Sequence, residues 1–111
     1  MESLIKHPEF DEDGYPTEET EKEIREWDFH DFAGLMQFVQ RAWHYGAEYF
    51  KPTTEHMWEV STGGWSGNES LIAAMKANTI FWALCWVSSR RGGHYEFKVR
   101  PIAKSDAKGG A

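Results

Sequence analysis

The chain has 111 residues, with 12 Lys and Arg against 18 Asp and Glu, and its formal net charge at pH 7 is -6. This length suits one folded domain, residues 1–111, and leaves no room for two. The acidic balance argues against general nucleic-acid binding, because Lys and Arg provide most of that affinity by displacing counterions from phosphates. A single cysteine, Cys85, excludes a disulfide within the chain and every multi-cysteine zinc motif.

No segment has the sequence of a membrane span or a secretory signal. The longest apolar run, 80–87, is far shorter than the roughly 20 residues that cross a bilayer. The sequence Met1-Glu2-Ser3 has neither the basic nor the apolar part of a signal region. We therefore expect no membrane partner and a location in a reducing compartment.

Charge is distributed unevenly along the chain. Residues 1–31 contain 12 acids and three bases, whereas residues 87–111 contain six bases and two acids. The simplest explanation is an acidic helix whose outer face is solvated. The alternative is an acidic surface, spanning residues 9–31, that docks on a basic partner protein.

The chain begins with an irregular segment followed by a short helix. Residues 1–15 show no regular spacing of apolar residues, and Asp13-Gly14 is typical of a turn. Thr20 and Glu23 have the spacing of a capping box. An acidic helix is therefore expected over about 18–26.

A second, more apolar helix is expected after an N-cap at Asp28. Apolar side chains recur there at the i, i+3, i+4 spacing of a helix stripe. They are Phe32, Leu35, Met36, Val39 and Trp43. The helix is expected to stop near Gly46.

The middle of the chain predicts a strand, a glycine-rich loop and a third helix. Residues 55–62 alternate apolar and polar side chains with the period of a half-buried strand. The loop 63–68, Gly-Gly-Trp-Ser-Gly-Asn, follows it. Apolar residues of 69–77 then share one helical face.

The segment 79–89 is apolar almost throughout, and periodicity alone does not distinguish a buried strand from a continued helix. Its β-branched and aromatic residues favour a strand. The sequence Arg90-Arg91-Gly92-Gly93 is typical of a hairpin turn, and the alternation over 94–100 predicts the strand that completes the hairpin. Residues 104–111 have no apolar anchor and are expected to form a flexible tail.

These elements predict an α+β fold in which two N-terminal helices pack on a small three-stranded β-α-β-β sheet. If 55–62 and 79–89 are parallel strands joined by a right-handed crossover, their carboxyl ends lie at one edge of the sheet. The loop 63–68 and the turn that follows 79–89 then meet there. Both faces of 79–89 carry large apolar side chains, so a second subunit is one way to cover the outer face, and a homodimer is an open alternative.

The meeting of these loops defines a candidate anion site. Glycines allow a backbone to approach a phosphate, and a helix N-terminus offers unpaired N–H groups and the positive end of the helix dipole. Arginine adds bidentate donors. The ring of Trp65 offers a surface on which a base can stack, an interaction worth about 1–3 kcal/mol. The candidate ligand-binding residues are Gly63, Gly64, Trp65, Ser66, Gly67, Asn68, Ser89, Arg90, Arg91 and His94.

A purely structural explanation of these residues stays open. The loop lacks the lysine and the spacing of a P-loop, and it does not match the dinucleotide-binding fingerprint. In this structural explanation, Gly63-Gly64 makes a tight turn, Ser66 or Asn68 caps the helix, and Trp65 folds back onto the core. The two arginines are then solvated hairpin residues.

The spacing favours neither catalysis nor metal binding. Ser66, Glu69 and His94 have the residue types of a hydrolytic set, but nothing in their spacing requires them to assemble. His44 and Glu48 have helical ligand spacing, but an intervening glycine argues against a continuous helix there. We expect no catalytic residue, no metal site and no cofactor.

Two stretches resemble the signature sequences of short uncharacterised proteins encoded by tailed bacteriophages and prophages. The stretches are 58–69 (WEVSTGGWSGNE) and 81–95 (FWALCWVSSRRGGHY), and the likeness extends to 16–19 and to Trp27-Asp28. The resemblance covers most of 15–100 and carries no known activity or catalytic residue. It implies a phage accessory protein in the cytoplasm of the bacterial host, and small phage proteins of that kind often blunt host defence.

The leading prediction is a non-catalytic binding protein. It captures a small phosphorylated or nucleotide-like ligand, such as a host defence signal, between the loop 63–68 and the arginine hairpin. The first alternative is an acidic protein-interaction module that inhibits a host protein by mimicking nucleic acid. The second alternative is a small phosphoesterase.

Overall fold

The computed structural model describes residues 7–54 and 56–99 of the chain. Five helices and four strands lie within these residues. In chain order they are α1 (Glu18–Arg25), α2 (Phe32–Ala42), α3 (Gly46–Tyr49), β1 (Phe50–Thr54), β2 (Met57–Ser61), α4 (Ser66–Ala77), α5 (Thr79–Cys85), β3 (Trp86–Arg90) and β4 (His94–Lys98). The α+β class is confirmed, but the arrangement of two N-terminal helices on a three-stranded sheet is wrong in detail. The predicted tail, 104–111, lies outside the described residues.

The four strands form one antiparallel sheet in the order β1-β2-β4-β3. β4 lies between β2 and β3, so these two strands are not the hydrogen-bonded parallel pair predicted from the sequence. Because each is antiparallel to β4, β2 and β3 nevertheless run in the same direction. Their carboxyl ends therefore lie at the same end of the sheet, where Ser61, His94 and Arg90 are paired in one row.

The apolar segment 79–89 is not one strand, as predicted, but a helix followed by a strand. Its first 7 residues form α5, and the remainder belongs to β3. The Asn78 side chain accepts a hydrogen bond of 3.2 Å from the backbone N–H of Phe81 and thereby caps α5. Phe81 and Cys85, one helical turn apart, are both buried. The cap and burial at helical spacing outweigh the β-propensity of these residues.

The N-cap of α1 is Thr17 and not Thr20, because the Thr17 hydroxyl accepts a hydrogen bond of 3.2 Å from the backbone N–H of Thr20. The hydroxyl of Thr20 instead accepts from the N–H of Glu9 at 2.7 Å and donates to the carbonyl of Glu9 at 2.9 Å. These bonds tie the N-terminal loop to α1. Within that loop the predicted turn is present, since Gly14 has a φ of +86° and its N–H donates to the carbonyl of Asp11 at 3.0 Å.

α2 follows an N-cap at Asp31 and not at Asp28, because the Asp31 carboxylate accepts a hydrogen bond of 3.0 Å from a backbone N–H in the first turn. The helix also ends before the predicted stop at Gly46. Trp43 leaves the helical conformation, and its indole N–H donates to the backbone oxygen of Ser61 at 2.9 Å. This bond anchors the end of α2 to the end of β2.

β1 is a strand that the sequence analysis does not predict, because Lys51-Pro52 resembles a break. It lies at an edge of the sheet, where the missing N–H of a proline leaves no strand partner unpaired. The pairing with β2 shifts register immediately after Pro52.

The helices cover one face of the sheet and form the core with it. α1 packs on α4, and α4 packs on α5. The central strand β4 contributes the fully buried Phe97, whose ring centroid lies 5.4 Å from that of Phe81. The opposite face carries a polar row formed by Lys51, Glu59 and Glu96. Within 7–54 and 56–99, no helix combines the length and apolarity that crossing a membrane requires.

Asn78→Ala is expected to destabilise the fold by about 2–3 kcal/mol. The Asn78 amide caps α5 and also donates to the backbone oxygens of Ile24 at 3.0 Å and Trp27 at 3.5 Å, so the substitution removes a cap and two hydrogen bonds to α1 and the residues after it. Urea unfolding followed by circular dichroism measures the loss. The exposed Asp28, predicted as a cap but not used as one, is the control, and Asp28→Ala should cost less than about 0.5 kcal/mol. Equal losses of stability in the Asn78→Ala and Asp28→Ala variants would show that Asn78 does not join α1 to α5.

Candidate functional site

The glycine-rich loop and the arginine hairpin meet at one end of the sheet. The backbone N–H of Thr62 donates to the carbonyl of Gly93 at 3.0 Å. Beside this bond, the hydroxyl of Ser61 lies 2.7 Å from Nδ1 of His94. Gly93 has a φ of +82°, and a Cβ at this position would collide with the hydroxyl of Thr62. Glycine is therefore required for the hairpin to approach the loop this closely.

The loop itself is a left-handed glycine turn that leads directly into α4. Gly63 and Gly64 have φ values of +64° and +79°. Thr62 closes the turn, because its hydroxyl accepts from the N–H of Gly64 at 3.3 Å and its carbonyl accepts from the N–H of Trp65 at 3.2 Å. Trp65 is the N-cap of α4 and provides no side-chain acceptor. The first N–H groups of α4 are thus left without a side-chain cap, at the positive end of the helix dipole.

Asn68 has a structural role in this arrangement. It is buried, its side-chain oxygen accepts from the backbone N–H of His44 at 2.9 Å, and its side-chain nitrogen donates to the carbonyl of Thr62 at 3.2 Å. Both ends of the amide therefore bond within the protein. Asn68 joins the turn after α2 to the glycine-rich loop instead of facing a ligand.

Trp65 belongs to an aromatic cluster that the sequence analysis did not foresee. Its half-buried ring lies 5.1 Å from the ring of Tyr15 and 4.8 Å from that of His44, between centroids. The ring also covers Gly67, where a Cβ would collide with it. Ser66 donates to the Tyr15 hydroxyl at 3.2 Å. These contacts join segments far apart in sequence, so no local pattern could have indicated them.

The hairpin presents its two arginines to solvent. Arg90 and Arg91 are both exposed, and the turn is completed by Gly92 and Gly93 in left-handed conformations. Because paired residues of antiparallel strands point to the same side, Arg90 and His94 share the open face of the sheet. Ser89 points to the helix-covered face, and its hydroxyl accepts from the indole N–H of Trp86 at 2.8 Å.

A groove of about 370 Å³ opens where the loop and the hairpin meet. It runs between α4 and β4. Its lining residues are Thr62, Glu69, Ile72, Ala73, Lys76, Gly93 and Tyr95. Four of them recur at i, i+3, i+4, i+7 along α4, and that spacing is the sequence signal that could have identified Lys76. No sequence spacing of this kind could have identified Tyr95 as a residue that lines the groove.

The groove carries opposite charges at its two ends. The Glu69 carboxylate lies 3.5 Å from the hydroxyl of Thr62, near the glycine turn. Lys76 lies two helical turns farther along α4, a rise of roughly 10 Å. Its ammonium group is 5.6 Å from the centroid of the Trp82 ring. The groove can therefore accept donors at one end and an anion or an acceptor at the other.

The hydrolytic set considered from the sequence is not assembled. Among the described residues, the side chains of Ser66, Glu69 and His94 bond to three different partners: Tyr15, Thr62 and Ser61. The bonded pair of Ser61 and His94 is the arrangement that sequence reasoning missed. It joins neighbouring strands on the open face of the sheet.

Gly93→Ala is expected to destabilise the fold more than Gly92→Ala. Gly92 has a φ of +87° and its Cβ would meet only His94, at 3.5 Å, so alanine there should cost about 1–2 kcal/mol from its backbone conformation alone. Alanine at Gly93 carries the same backbone cost and also collides with Thr62, so its total should be about 3 kcal/mol or more. Urea unfolding of the two variants gives both values. Equal losses would mean that Thr62 moves aside and does not hold the two loops together.

The chain was compared with protein-family models, with curated proteins and with solved structures, and none of the three comparisons found a match. What the chain binds is therefore inferred from its own residues and their geometry.

Proposed function

We propose that this chain is a non-catalytic binding protein that captures a small phosphorylated or nucleotide-like ligand at the mouth of the groove. The observation that carries the proposal is the hydrogen bond of 3.0 Å between Thr62 and Gly93. It brings the glycine turn and the uncapped start of α4 next to the hairpin that bears Arg90 and Arg91. The anion site that we propose uses donors from both loops.

The positive charge of the hairpin that borders this mouth suits the phosphate of the ligand. Two exposed guanidinium groups offer bidentate hydrogen bonds, which suit phosphate oxygens better than point charges do. The N-terminus of α4, where Ser66 is exposed and Gly67 lies under the Trp65 ring, adds the positive end of a helix dipole. His94 lies in the same row as Arg90 and adds a further ring nitrogen.

The remainder of the groove favours a nucleotide over inorganic phosphate. Its volume of about 370 Å³ falls within the range of roughly 300–1,000 Å³ that is usual for small-molecule sites. The Glu69 carboxylate repels a phosphate but accepts hydrogen bonds from sugar hydroxyls or a base amino group. Tyr95 and Ile72 provide apolar surface beside it. We assign Trp65 and Asn68 structural roles, because their side chains contact other parts of the protein.

In the phage setting that the sequence resemblance implies, the ligand we propose is a host defence signal. A stoichiometric binder in the bacterial cytoplasm would act by lowering the free concentration of that signal. Binding alone suffices for this role, so it needs no catalytic residue and no cofactor.

The test is isothermal titration calorimetry of the full chain with a panel of mononucleotides, cyclic nucleotides, cyclic dinucleotides and inorganic phosphate. We expect at least one nucleotide to bind more tightly than inorganic phosphate. Arg90→Ala/Arg91→Ala should weaken that binding at least tenfold, because each charged hydrogen bond contributes about 1.5–3 kcal/mol. Lys51→Ala/Lys98→Ala removes the same charge from two exposed sites away from the row that bears Arg90, and it should change the affinity less than about threefold.

Three outcomes would contradict this function. Absence of heat with every member of the panel would exclude a nucleotide ligand. Turnover of the bound nucleotide, lost in both Ser61→Ala and His94→Ala, would replace a binding protein with a phosphoesterase. Equal losses of affinity in the arginine and lysine variants would show that only net charge attracts the ligand.

A second candidate function rests on the acidic surface of α1. Glu18 and Glu19 are exposed there, and burial together with the nearby Glu18 raises the pKa of Glu21 above its usual value. Burial is the larger cause of this pKa shift, and the Glu18 carboxylate adds to it. Such a surface suits docking on a basic host protein. This function predicts salt-sensitive capture of that protein, abolished when Glu18, Glu19 and Glu21 are changed to Lys and unaffected by Arg90→Ala/Arg91→Ala.

A further inference from the structure

Five aromatic rings contact one another in an unbroken series beside the glycine-rich loop. Consecutive ring centroids lie 5.1, 4.8, 4.2 and 6.1 Å apart. Both ends of the series rest on the loop, because Ser66 donates to the first ring's hydroxyl at 3.2 Å and the last ring lies 3.5 Å from where a Cβ of Gly63 would be. We call this series the aromatic ladder, and its members in order of contact are Tyr15, Trp65, His44, Tyr45 and Tyr49.

Most of the ladder is open to solvent. Its three tyrosines and its histidine are exposed, whereas Trp65 is half-buried and supports the middle of the series. Tyrosine and tryptophan are enriched at binding hot spots, because each offers a large rigid ring and a polar tip. The rings are already held by one another and by the loop. Little side-chain freedom is therefore left to lose when a ligand binds.

The most exposed ring of the ladder belongs to a residue with a strained backbone. Tyr45 has a φ of +59° and a ψ of +47°, in the left-handed region where a bulky residue is an outlier. Such strain persists mainly at functional positions. The side chain is 63% exposed, so packing in the core does not offset the cost. A contact between this ring and a ligand would offset it.

The chain around the ladder is acidic. The segments that carry it, 8–21, 42–50 and 61–75, contain seven acids, one acid and one acid respectively, and no Lys or Arg. Glu48 is exposed and lies between Tyr45 and Tyr49 along the chain. The exposed Asp11 accepts a hydrogen bond of 3.0 Å from the backbone N–H of Tyr15. This charge favours a basic ligand over a phosphate-bearing one.

We propose that the aromatic ladder binds a basic, proline-rich segment of a partner protein in the polyproline II conformation. Such segments dock on aromatic surfaces, and their conformation is formed before binding at little entropic cost. The ladder extends over at most about 20 Å, and four to six residues at 3.1 Å each cover roughly 12–19 Å. A polyproline II helix has no internal hydrogen bonds, so its carbonyls accept from the tyrosine hydroxyls. Arginine or lysine beside the prolines pairs with Glu48 and Asp11.

Peptide binding at the ladder does not depend on the nucleotide ligand proposed above. None of the ladder residues lines the groove between α4 and β4. The hairpin arginines have no part in peptide binding, so Arg90→Ala/Arg91→Ala should bind the peptide as the wild type does. A peptide that competes with a nucleotide for the wild-type protein would contradict this separation.

The test is fluorescence polarisation of labelled peptides with the full chain. The probe is a run of about six prolines flanked by arginines. One matched peptide replaces the prolines with glycine and serine, and another replaces the arginines with glutamates. We expect the probe to bind at least tenfold more tightly than either. Tyr45→Ala/Tyr49→Ala should weaken its binding at least tenfold, whereas Phe29→Ala/Leu84→Ala, at exposed apolar residues outside the ladder, should change it less than twofold.

Tyr45→Gly separates loss of the contact from loss of the fold. Glycine adopts the left-handed conformation without strain, so this variant should keep at least the wild-type urea midpoint while it binds the probe at least threefold more weakly. Three results would overturn the proposal: no probe binding up to about 1 mM protein, equal affinity for the glycine-serine peptide, or wild-type affinity in both tyrosine variants. Binding of cellohexaose that depends on Tyr45 and Tyr49, in place of the probe, would overturn it by assigning the ladder to a carbohydrate.

Discussion

The structure depends on the buried residue Thr62, which holds the end of β2, the glycine turn, α4 and the hairpin in one place. Its backbone bonds to Gly93 and Trp65, its carbonyl also receives the side chain of Asn68, and its hydroxyl accepts from the N–H of Gly64. A buried polar residue with all these partners resists displacement, because losing any of them leaves an unpaired group away from water. The position of the candidate ligand site follows from this one residue.

Charged side chains are distributed unevenly over the described part of the molecule. Acids concentrate on α1 and the loop before it, Arg90 and Arg91 lie at the β3–β4 hairpin, and residues 77–89 contain no charged side chain. The groove beside the hairpin adds Glu69 and Lys76, which carry opposite charges and, in the function we propose, suit a ligand with polar groups of both kinds.

Local chemistry made part of the fold predictable. The turn at Gly14, the helix from Glu18 and the hairpin at Arg91-Gly92-Gly93 are set by residues adjacent in sequence, and they occur nearly where expected. The strand β1 is not predicted from the sequence, because a proline such as Pro52 is compatible with a strand mainly at a sheet edge. Which strand lies at an edge is decided by the strand order, which the sequence does not reveal. The β-branched and aromatic residues of α5 favour a strand when only residue type is considered. The Asn78 cap and the tertiary burial, which favour a helix, become visible only in the structure.

The sequence by itself determined the α+β class, the charge asymmetry, the glycine turn before α4 and the arginine hairpin, because each depends on residue type or on neighbours a few positions away. Only the tertiary structure decided that β4 separates β2 from β3, that Asn68 and Trp65 contact the rest of the protein, and that Lys76 and Tyr95 line a groove. Most of those outcomes depend on contacts between residues far apart in sequence, such as the bond between His44 and Asn68. Contacts of that separation are chosen by the packing of the whole core, for which a single sequence carries no local signal.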